Sequence, residues 1–155
     1  MKVEITPLRE EHALTSYKWR NNPKVWLLTG GRPDRHITAE MELEWIKKAI
    51  ANTEQKRYAI LAEGVYVGNV QLTDLKDGSA QFHIFIGDTS YWGKGVATAA
   101  TKLMLEIAFK ELGLKSVYLW VNKKNIAAQK VYEKCGFAPS DTSETEIKMS
   151  VENKR

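Results

Sequence analysis

A short glycine-containing segment holds the residues most able to do chemistry in this chain. Residues 91–98 read Tyr-Trp-Gly-Lys-Gly-Val-Ala-Thr, follow an alternating apolar run at 82–86, and open a long stretch with helical spacing. The first N–H groups of a helix have no partner within the helix, and the helix dipole adds partial positive charge there. A phosphate or diphosphate is the ligand that such a strand-to-helix turn suits best.

Two familiar nucleotide-binding patterns do not fit this turn. A P-loop has four residues between its glycines and a Ser or Thr after the lysine, whereas a single residue separates Gly93 from Gly95. A dinucleotide-binding turn needs a third small residue, where this chain has Thr98, and an acidic residue about 20 positions on, where it has Lys115. Taken alone, two glycines before a helix could equally form a tight turn that binds no ligand.

The turn resembles the pyrophosphate loop of the GNAT superfamily of N-acetyltransferases, whose pattern is Gln/Arg-x-x-Gly-x-Gly/Ala. The run is most similar to the ribosomal-protein N-terminal acetyltransferase branch, and the match continues over residues 80–137. Trp92 is a departure, because Gln or Arg usually occupies its position. The resemblance implies that acetyl-coenzyme A is the cofactor and that its diphosphate contacts Trp92, Gly93, Lys94, Gly95, Val96, Ala97 and Thr98.

Residues 121–137 resemble the second signature of the same family, in which Asn-x-x-Ala opens a helix and a Tyr precedes Gly-Phe. Tyr132 lies seven residues after Asn125, two helical turns on, and therefore on the same helix face. The resemblance makes Tyr132 the general acid that protonates the departing thiolate. A phenol of pKa about 10 is a workable donor to a thiolate of pKa about 8.5, although in an arbitrary helix this residue would be only a core aromatic. The pantetheine arm is expected beside Asn122, Asn125, Ala128 and Tyr132.

The resemblance also implies that the thioester binds in a slot between two strands that splay apart, residues 80–86 and 116–121. Backbone groups of Phe85, Ile86 and Gly87 are expected to bond the pantetheine amides and to polarise the thioester carbonyl. An N–H group aimed at the developing oxyanion would contribute roughly 3 kcal/mol.

Amide formation needs a group that accepts a proton from the amine, since an aliphatic ammonium has a pKa of about 10.4 and an α-amine about 8. His83 lies on the strand before the loop, on the same side as Gln81 and Phe85, and is our candidate base, directly or through water. A histidine packed in a sheet is the structural alternative. Other candidates, more often only solvated, are the carboxylates of Glu40, Glu42, Glu44 and Asp88.

The N-terminal third is expected to bind the acceptor. Its run Trp-Arg-Asn-Asn-Pro at residues 19–23 resembles the start of ribosomal-protein-type enzymes and of amino-sugar-nucleotide acetyltransferases. We expect residues 30–36 to form a mobile lid. The short final hairpin at 137–144 is expected either to lack part of the acceptor pocket or to leave it to a partner subunit. The residues predicted to bind substrate are Trp26, Arg32, Trp45, Gln81 and His83.

Hydrophobic spacing predicts the elements that hold these residues. Strands are predicted at 2–6, 57–62, 65–73, 80–86, 116–121 and 144–151, and helices at 10–20, 25–28, 95–113 and 125–135, with a further helix N-capped by Thr38. This order indicates an α/β chain of mixed α+β type with helices on both faces of a mixed sheet. The resemblance specifies a GNAT-like fold, in which the central sheet is mostly antiparallel and contains one parallel, splayed strand pair.

Composition narrows the class of protein. With 155 residues we expect a single domain, 1–155, in which residues 1–55 serve the acceptor and residues 80–137 form the cofactor-binding core. The net charge of +4 favours an anionic ligand, but no basic run suggests nucleic acid and no apolar run approaches the roughly 20 residues of a membrane span. The lone cysteine, Cys135, suits a reducing cytoplasm, and we expect it to be an apolar filler and not a nucleophile. We expect no metal site, and a monomer or homodimer.

The favoured function is an N-acetyltransferase that works by direct attack of a primary amine on acetyl-coenzyme A in a ternary complex, with a protein N-terminus among the acceptors. An amino-sugar nucleotide or another small amine is the alternative acceptor. Two alternatives belong to other functional classes. The protein could be a coenzyme A-binding module without turnover, or the loop could bind the phosphates of a nucleotide.

Overall fold

The computed structural model describes residues 1–29, 33 and 35–154. The strands within these residues are β1 Val3–Pro7, β2 Lys56–Ala62, β3 Val65–Lys76, β4 Ser79–Ile86, β5 Ser116–Asn122, β6 Ala138–Thr142 and β7 Glu146–Glu152. The α-helices are α1 Ala13–Arg20, α2 Pro23–Thr29, α3 Ala39–Ala51, α4 Val96–Glu106 and α5 Ile126–Lys134. Short 3-10 turns lie at Glu10–His12 and Thr89–Tyr91, and a π-helical turn at Ile107–Glu111 continues α4. Within this part of the chain, no helix is both long and apolar enough to cross a bilayer.

The strands form one seven-stranded sheet in the order β1-β2-β3-β4-β5-β7-β6. Every neighbouring pair is antiparallel except β4 and β5, which confirms the predicted mixed sheet with one parallel pair. The parallel pairing is short, because it joins only Ser79 to Ser116, Ala80 to Val117 and Gln81 to Tyr118. Beyond Gln81 the two strands separate, as the predicted splayed slot requires.

Alternation along the strands divides the apolar residues between two helical layers. Ala59 and Ile60 are both fully buried, yet they belong to different clusters because successive side chains point to opposite faces of the sheet. One face packs against α4 and α5, and its core includes Ile60, Leu72, Phe82, Val96, Ala100, Met104, Val117 and Leu119. The other face packs against α1 and α3 through Leu8, Ala13, Ile46 and Ala59. The prediction of helices on both faces is confirmed.

The C-terminal hairpin differs from the prediction. β6 pairs with β7, whereas the sequence indicated only a short hairpin at 137–144 and gave no bounds for a strand within it. All five residues of β6 are exposed, so the segment lacks the alternating apolar pattern that marks a half-buried strand. Pro139 and a register shift before Asp141 fit its place at the sheet edge, where an unpaired N–H would otherwise face solvent.

Candidate active site

The backbone of β4 decides which groups face the gap between β4 and β5. The N–H groups of Lys115 and Ser116 donate to the carbonyl of Gly78, just before β4. Because backbone groups alternate along a strand, the N–H and C=O groups of the even-numbered residues of β4 point toward β5. On the opposite edge the N–H of Gly87 donates to the carbonyl of Val67 in β3, 2.8 Å away, which gives the same alternation. Past the short parallel pairing, the backbone groups of Ile84 and Ile86 therefore face the open gap.

The three residues expected to bond pantetheine amides thus differ in position. Ile86 faces the gap, whereas Phe85 lies opposite Asn69 on the side that bonds β3, and the N–H of Gly87 is taken up by Val67. Gly87 has a separate structural reason to be glycine, because a Cβ there would clash with the buried ring of Trp19. Of these three residues, Ile86 is therefore the one whose backbone is placed to contact a cofactor in the gap.

The loop before α4 leaves the first N–H groups of that helix without a side-chain cap. Gly93 and Gly95 have φ angles of 73° and 80°, in the left-handed region that favours glycine, and a Cβ on either would meet no atom within 4 Å. Gly95 is the N-cap of α4 and provides no side chain to bond the first N–H groups, which belong to Val96, Ala97 and Thr98. Such free helix-start donors suit a diphosphate. The ammonium of the exposed Lys94 lies 5.6 Å from the centroid of the Tyr91 ring in the same loop.

Trp92 explains the departure from the usual Gln or Arg at its position. Its indole N–H donates to the carbonyl of Ile86 over 2.8 Å, and 38% of the residue is exposed. The side chain therefore ties the anion loop to the last residue of β4. The sequence gives no signal for this contact. It forms because the 3-10 turn Thr89–Tyr91 brings Trp92 back to the end of β4.

Tyr132 lies on α5 and packs against the sheet on the α4 side. Its ring centroid is 6.2 Å from that of Phe82 and 5.8 Å from that of Phe137, and burial raises the pKa of its phenol to about 12. No hydrogen bond joins its hydroxyl to another residue in the described part of the chain. The phenol therefore stays protonated throughout the physiological pH range and is available as a donor.

The residues at the start of α5 are held by local bonds. Asn125 caps the helix by accepting from the N–H of Ala128 at 3.1 Å, which agrees with the prediction that Asn-x-x-Ala opens a helix here. Asn122 accepts from the N–H of Lys124 at 2.8 Å and so closes the turn that leads into the helix. These bonds fix where α5 starts and therefore where Tyr132, two turns further on, is placed.

Cys135 lies between α4 and α5. Its Sγ is 3.6 Å from the carbonyl of Thr98, and burial raises the pKa of its thiol. A raised pKa disfavours the thiolate, which is the nucleophilic form of cysteine.

His83 lies on the opposite face of β4, next to a cavity. Its Nε2 is 2.9 Å from Oγ1 of Thr73, and burial, with a smaller contribution from the charge of Arg57, lowers the pKa of the imidazole. The ring is therefore neutral at pH 7, in the form that can accept a proton. The cavity has a volume of about 420 Å³ and is lined by Gln81, His83, Trp120, Ser143 and Glu146.

The structure brings two predicted acceptor residues, Gln81 and His83, together with three that sequence reasoning missed. Trp120 stands between Leu119 and Val121, which are buried on one face of β5. The alternation of side chains along a strand was therefore the signal that Trp120 faces the other side of the sheet. Glu146 and Ser143 gave no such signal, because they reach the cavity through the pairing of β7 with β5, which joins residues far apart in sequence.

The predicted tryptophans lie outside this cavity. Trp45 is 42% exposed, and its ring lies 4.9 Å from the guanidinium of Arg57 and 5.9 Å from that of Arg20. Trp26 is partly buried on α2 and is not among the cavity residues. Arg32, like most of the expected lid, lies outside the described residues.

The alternative bases have other partners or other positions. Glu42 is buried and accepts from Ser16 and from Arg20, both at 2.8 Å, so its charge is already compensated. Asp88 accepts from the N–H and the hydroxyl of Ser90 at the 3-10 turn. Glu40 and Glu44 are exposed on α3.

Comparison with known proteins agrees with this arrangement. Residues 2–138 match the family described as the acetyltransferase (GNAT) domain. A spermidine N(1)-acetyltransferase of Escherichia coli is 30% identical over 138 residues, which cover 88% of this chain and 73% of that protein. A probable N-acetyltransferase of Bacillus subtilis, YjcK, is 28% identical over 127 residues, covering 77% and 70% of the two chains.

Among solved structures, spermidine N-acetyltransferase from Vibrio cholerae in complex with CoA and spermine superposes with a TM-score of 0.85 at 22% identity, covering 97% of this chain and 95% of that one. These matches confirm the predicted family and fold. None of the three proteins named is a ribosomal-protein acetyltransferase, so the closer resemblance to that branch is not supported.

Proposed function

The chain belongs to the GNAT acetyltransferase family, and we propose that its acceptor is a small polyamine such as spermidine, acetylated on a primary amine. Two similar proteins support this acceptor, since one is named a spermidine N(1)-acetyltransferase and another was solved with CoA and spermine. A protein N-terminus, the acceptor suggested by the ribosomal-protein resemblance, has no support from these relatives. Members of the family use acetyl-coenzyme A, and this chain is an acyl-coenzyme A-dependent acetyltransferase.

The observation that carries the proposed mechanism is the placement of Phe82 and His83 on β4. Because successive side chains of a strand point to opposite faces, Phe82 contacts Tyr132 on the α5 side while His83 faces the cavity on the other side. The gap between β4 and β5 lies beside both residues. The proposed proton donor and the proposed proton acceptor would therefore lie on opposite faces of the sheet beside one gap.

The groups that would hold acetyl-coenzyme A lie on the α4 side of this opening. The N–H groups of Val96, Ala97 and Thr98, with the ammonium of Lys94, would bind the diphosphate. The backbone of Ile86, turned toward the gap, would bond the pantetheine arm. When bound, the cofactor supplies a thioester carbonyl that an amine can attack.

His83 would remove the proton that the attacking amine must lose. A polyamine nitrogen is almost entirely protonated at pH 7, because an aliphatic ammonium has a pKa of about 10.4. Only the neutral amine has the lone pair that attacks, so a neutral imidazole beside the cavity would accept its proton directly or through one water. Thr73 holds the ring in place through its hydroxyl.

Tyr132 would supply the proton on the other face. With its pKa raised to about 12 by burial, the phenol is neutral whenever the enzyme works. A thiol has a pKa of about 8.5, so the hydroxyl would keep its proton until negative charge develops on the sulfur and would regain one from solvent afterwards.

Release of free thiol from acetyl-coenzyme A over a panel of amines tests this function. We expect release with spermidine and spermine to exceed release with an aminoglycoside and with a short peptide bearing a free N-terminus. Faster turnover of the peptide would contradict the polyamine assignment. Tight binding of coenzyme A without thiol release for any amine would instead indicate an acyl-coenzyme A-binding module.

We also propose that residues 1–155 act as one unit in the cytoplasm. Arg57 of β2 connects the two predicted parts, since its guanidinium lies 4.9 Å from the ring centroid of Trp45 on α3 and its charge helps to lower the pKa of His83 on β4. The lone cysteine is in keeping with a reducing compartment.

A further inference from the structure

Glu146 and Trp120 face the same cavity as His83 but lie on other strands. We infer that they form a subsite for the second, non-reacting nitrogen of a diamine or polyamine, and that this subsite selects such acceptors over monoamines. The inference rests on the proposed function. Glu146 and Trp120 are the residues that would make the protein prefer diamines and polyamines as acceptors.

The carboxylate of Glu146 has no cationic partner in the described part of the chain, where no Lys, Arg or His nitrogen lies within 4 Å of it. The residue is partly buried at the start of β7. Its backbone is fixed, because its N–H donates to the hydroxyl of Ser143 at 3.0 Å and its carbonyl accepts from the N–H of Ser143 at 2.9 Å. An uncompensated carboxylate held on a cavity wall is a site for a cation.

Glu42 is a structural carboxylate with which Glu146 can be compared. Glu42 is 2% exposed and carries both a hydroxyl and a guanidinium partner at 2.8 Å. The neighbour of Glu146 on the same face of β7, Lys148, does not neutralise it, because its ammonium lies 4.7 Å from the centroid of the Tyr118 ring. Tyr118 pairs with Ser150, at the far side of Lys148 from Glu146.

Trp120 adds an aromatic surface to the same subsite. It is 36% exposed on β5 and is the aromatic residue among those that line the cavity. The face of an indole ring attracts an alkylammonium group, and its apolar area suits the methylene chain between two nitrogens. Neutral Gln81 and Ser143 add hydrogen-bonding groups without adding positive charge.

The two ends of the cavity therefore suit nitrogens in different protonation states. A carboxylate stabilises an ammonium, so contact with Glu146 would hold back the nitrogen that must attack as a neutral amine. A neutral imidazole does the opposite, because it accepts a proton from the attacking nitrogen. This division assigns His83 to the reacting nitrogen and Glu146, with Trp120, to the one that stays charged.

The test compares kcat/KM for 1,5-diaminopentane with that for pentylamine, which has the same chain length but a single nitrogen. We expect the wild-type protein to prefer the diamine, and Glu146→Gln to lower the ratio of the two values about 10- to 100-fold. Glu146→Asp should restore part of the ratio, and Trp120→Leu should lower it by a smaller factor.

Glu144→Gln is the matched control, because this exposed glutamate lies on the same hairpin and is not among the cavity residues. Its ratio should equal that of the wild type. An unchanged ratio in Glu146→Gln, with acetylation of amines retained, would overturn the subsite while leaving the proposed function intact. Absence of acetylation of every amine by the wild-type protein would overturn the proposed function and the subsite together.

Discussion

At the scale of single residues, the proposed mechanism assigns proton transfer to Tyr132 and His83, whose surroundings shift their pKa values in opposite directions. Burial among Phe82 and Phe137 raises the pKa of the phenol to about 12, which keeps its proton in place. Burial next to Arg57 lowers the pKa of the imidazole, which keeps a lone pair free. At pH 7 these shifts keep each group in the protonation state from which its proposed role starts, the phenol protonated and the imidazole neutral.

Replacing Tyr132 with Phe removes the hydroxyl and keeps the ring that packs on Phe82. We expect turnover to fall about 10²- to 10⁴-fold with little change in the Kd for coenzyme A, since the loss concerns proton transfer. Steady-state kinetics and a binding titration measure the two quantities. Tyr17→Phe, on α1, is the control and should behave as wild type; turnover unchanged in Tyr132→Phe would remove this residue from the mechanism.

His83→Gln should lose rate at pH 7 and regain part of it at higher pH, where more of the amine is neutral without help. In the wild-type protein the lowered pKa places the protonation of His83 below 6.5, so kcat/KM should fall through an acidic limb in that range. The pH profile of the variant should lack this limb. A loss of rate that is the same at every pH would indicate structural damage and not loss of a base.

At the scale of elements, the function depends on where α4 begins and where β4 parts from β5. The turn at Gly93 and Gly95 directs the first N–H groups of α4 outward, and the indole of Trp92 ties that turn to Ile86. The gap opens directly after Gln81. The loop proposed to bind the diphosphate and the gap proposed to hold the thioester are therefore neighbours in one strand-turn-helix unit, formed by β4, the glycine turn and α4.

Gly95→Glu places a side chain and a negative charge against the diphosphate position, and we expect the affinity for coenzyme A to fall at least about tenfold. Gly113→Glu is a matched control, because that glycine also has positive φ, at 64°, and also leaves a Cβ without contacts within 4 Å. Both variants should carry similar backbone strain. Equal coenzyme A affinities in a calorimetric titration would show that the loop does not hold the anion.

The local parts of this unit were predictable from sequence, and the long-range parts were not. Gly93, Gly95 and Asn125 have roles fixed by neighbours within a few residues, so turn and cap patterns found them. The cavity position of Glu146 depends on the register of β7 against β5, which no local pattern determines. β6 escaped prediction because a fully exposed edge strand has no apolar alternation to reveal it.

At the scale of the molecule, the sheet separates two faces in the part of the chain that the structure describes, and a gap opens between them where the parallel pairing of β4 and β5 ends. Helices α4 and α5 cover one face and carry the anion loop and Tyr132, while α1 and α3 cover part of the other and leave the cavity beside His83 open. An acceptor and a donor that enter from opposite faces would meet in the gap without competing for space. The fold thereby favours direct transfer in a ternary complex, because both substrates reach the reacting position at once.

A crystal structure of this protein with coenzyme A tests the central claim most directly. We expect the diphosphate within hydrogen-bonding distance of the N–H groups of Val96, Ala97 and Thr98, and the thiol sulfur within roughly 3.5 Å of the hydroxyl of Tyr132. A cofactor bound away from this loop, or a sulfur remote from that hydroxyl, would contradict it.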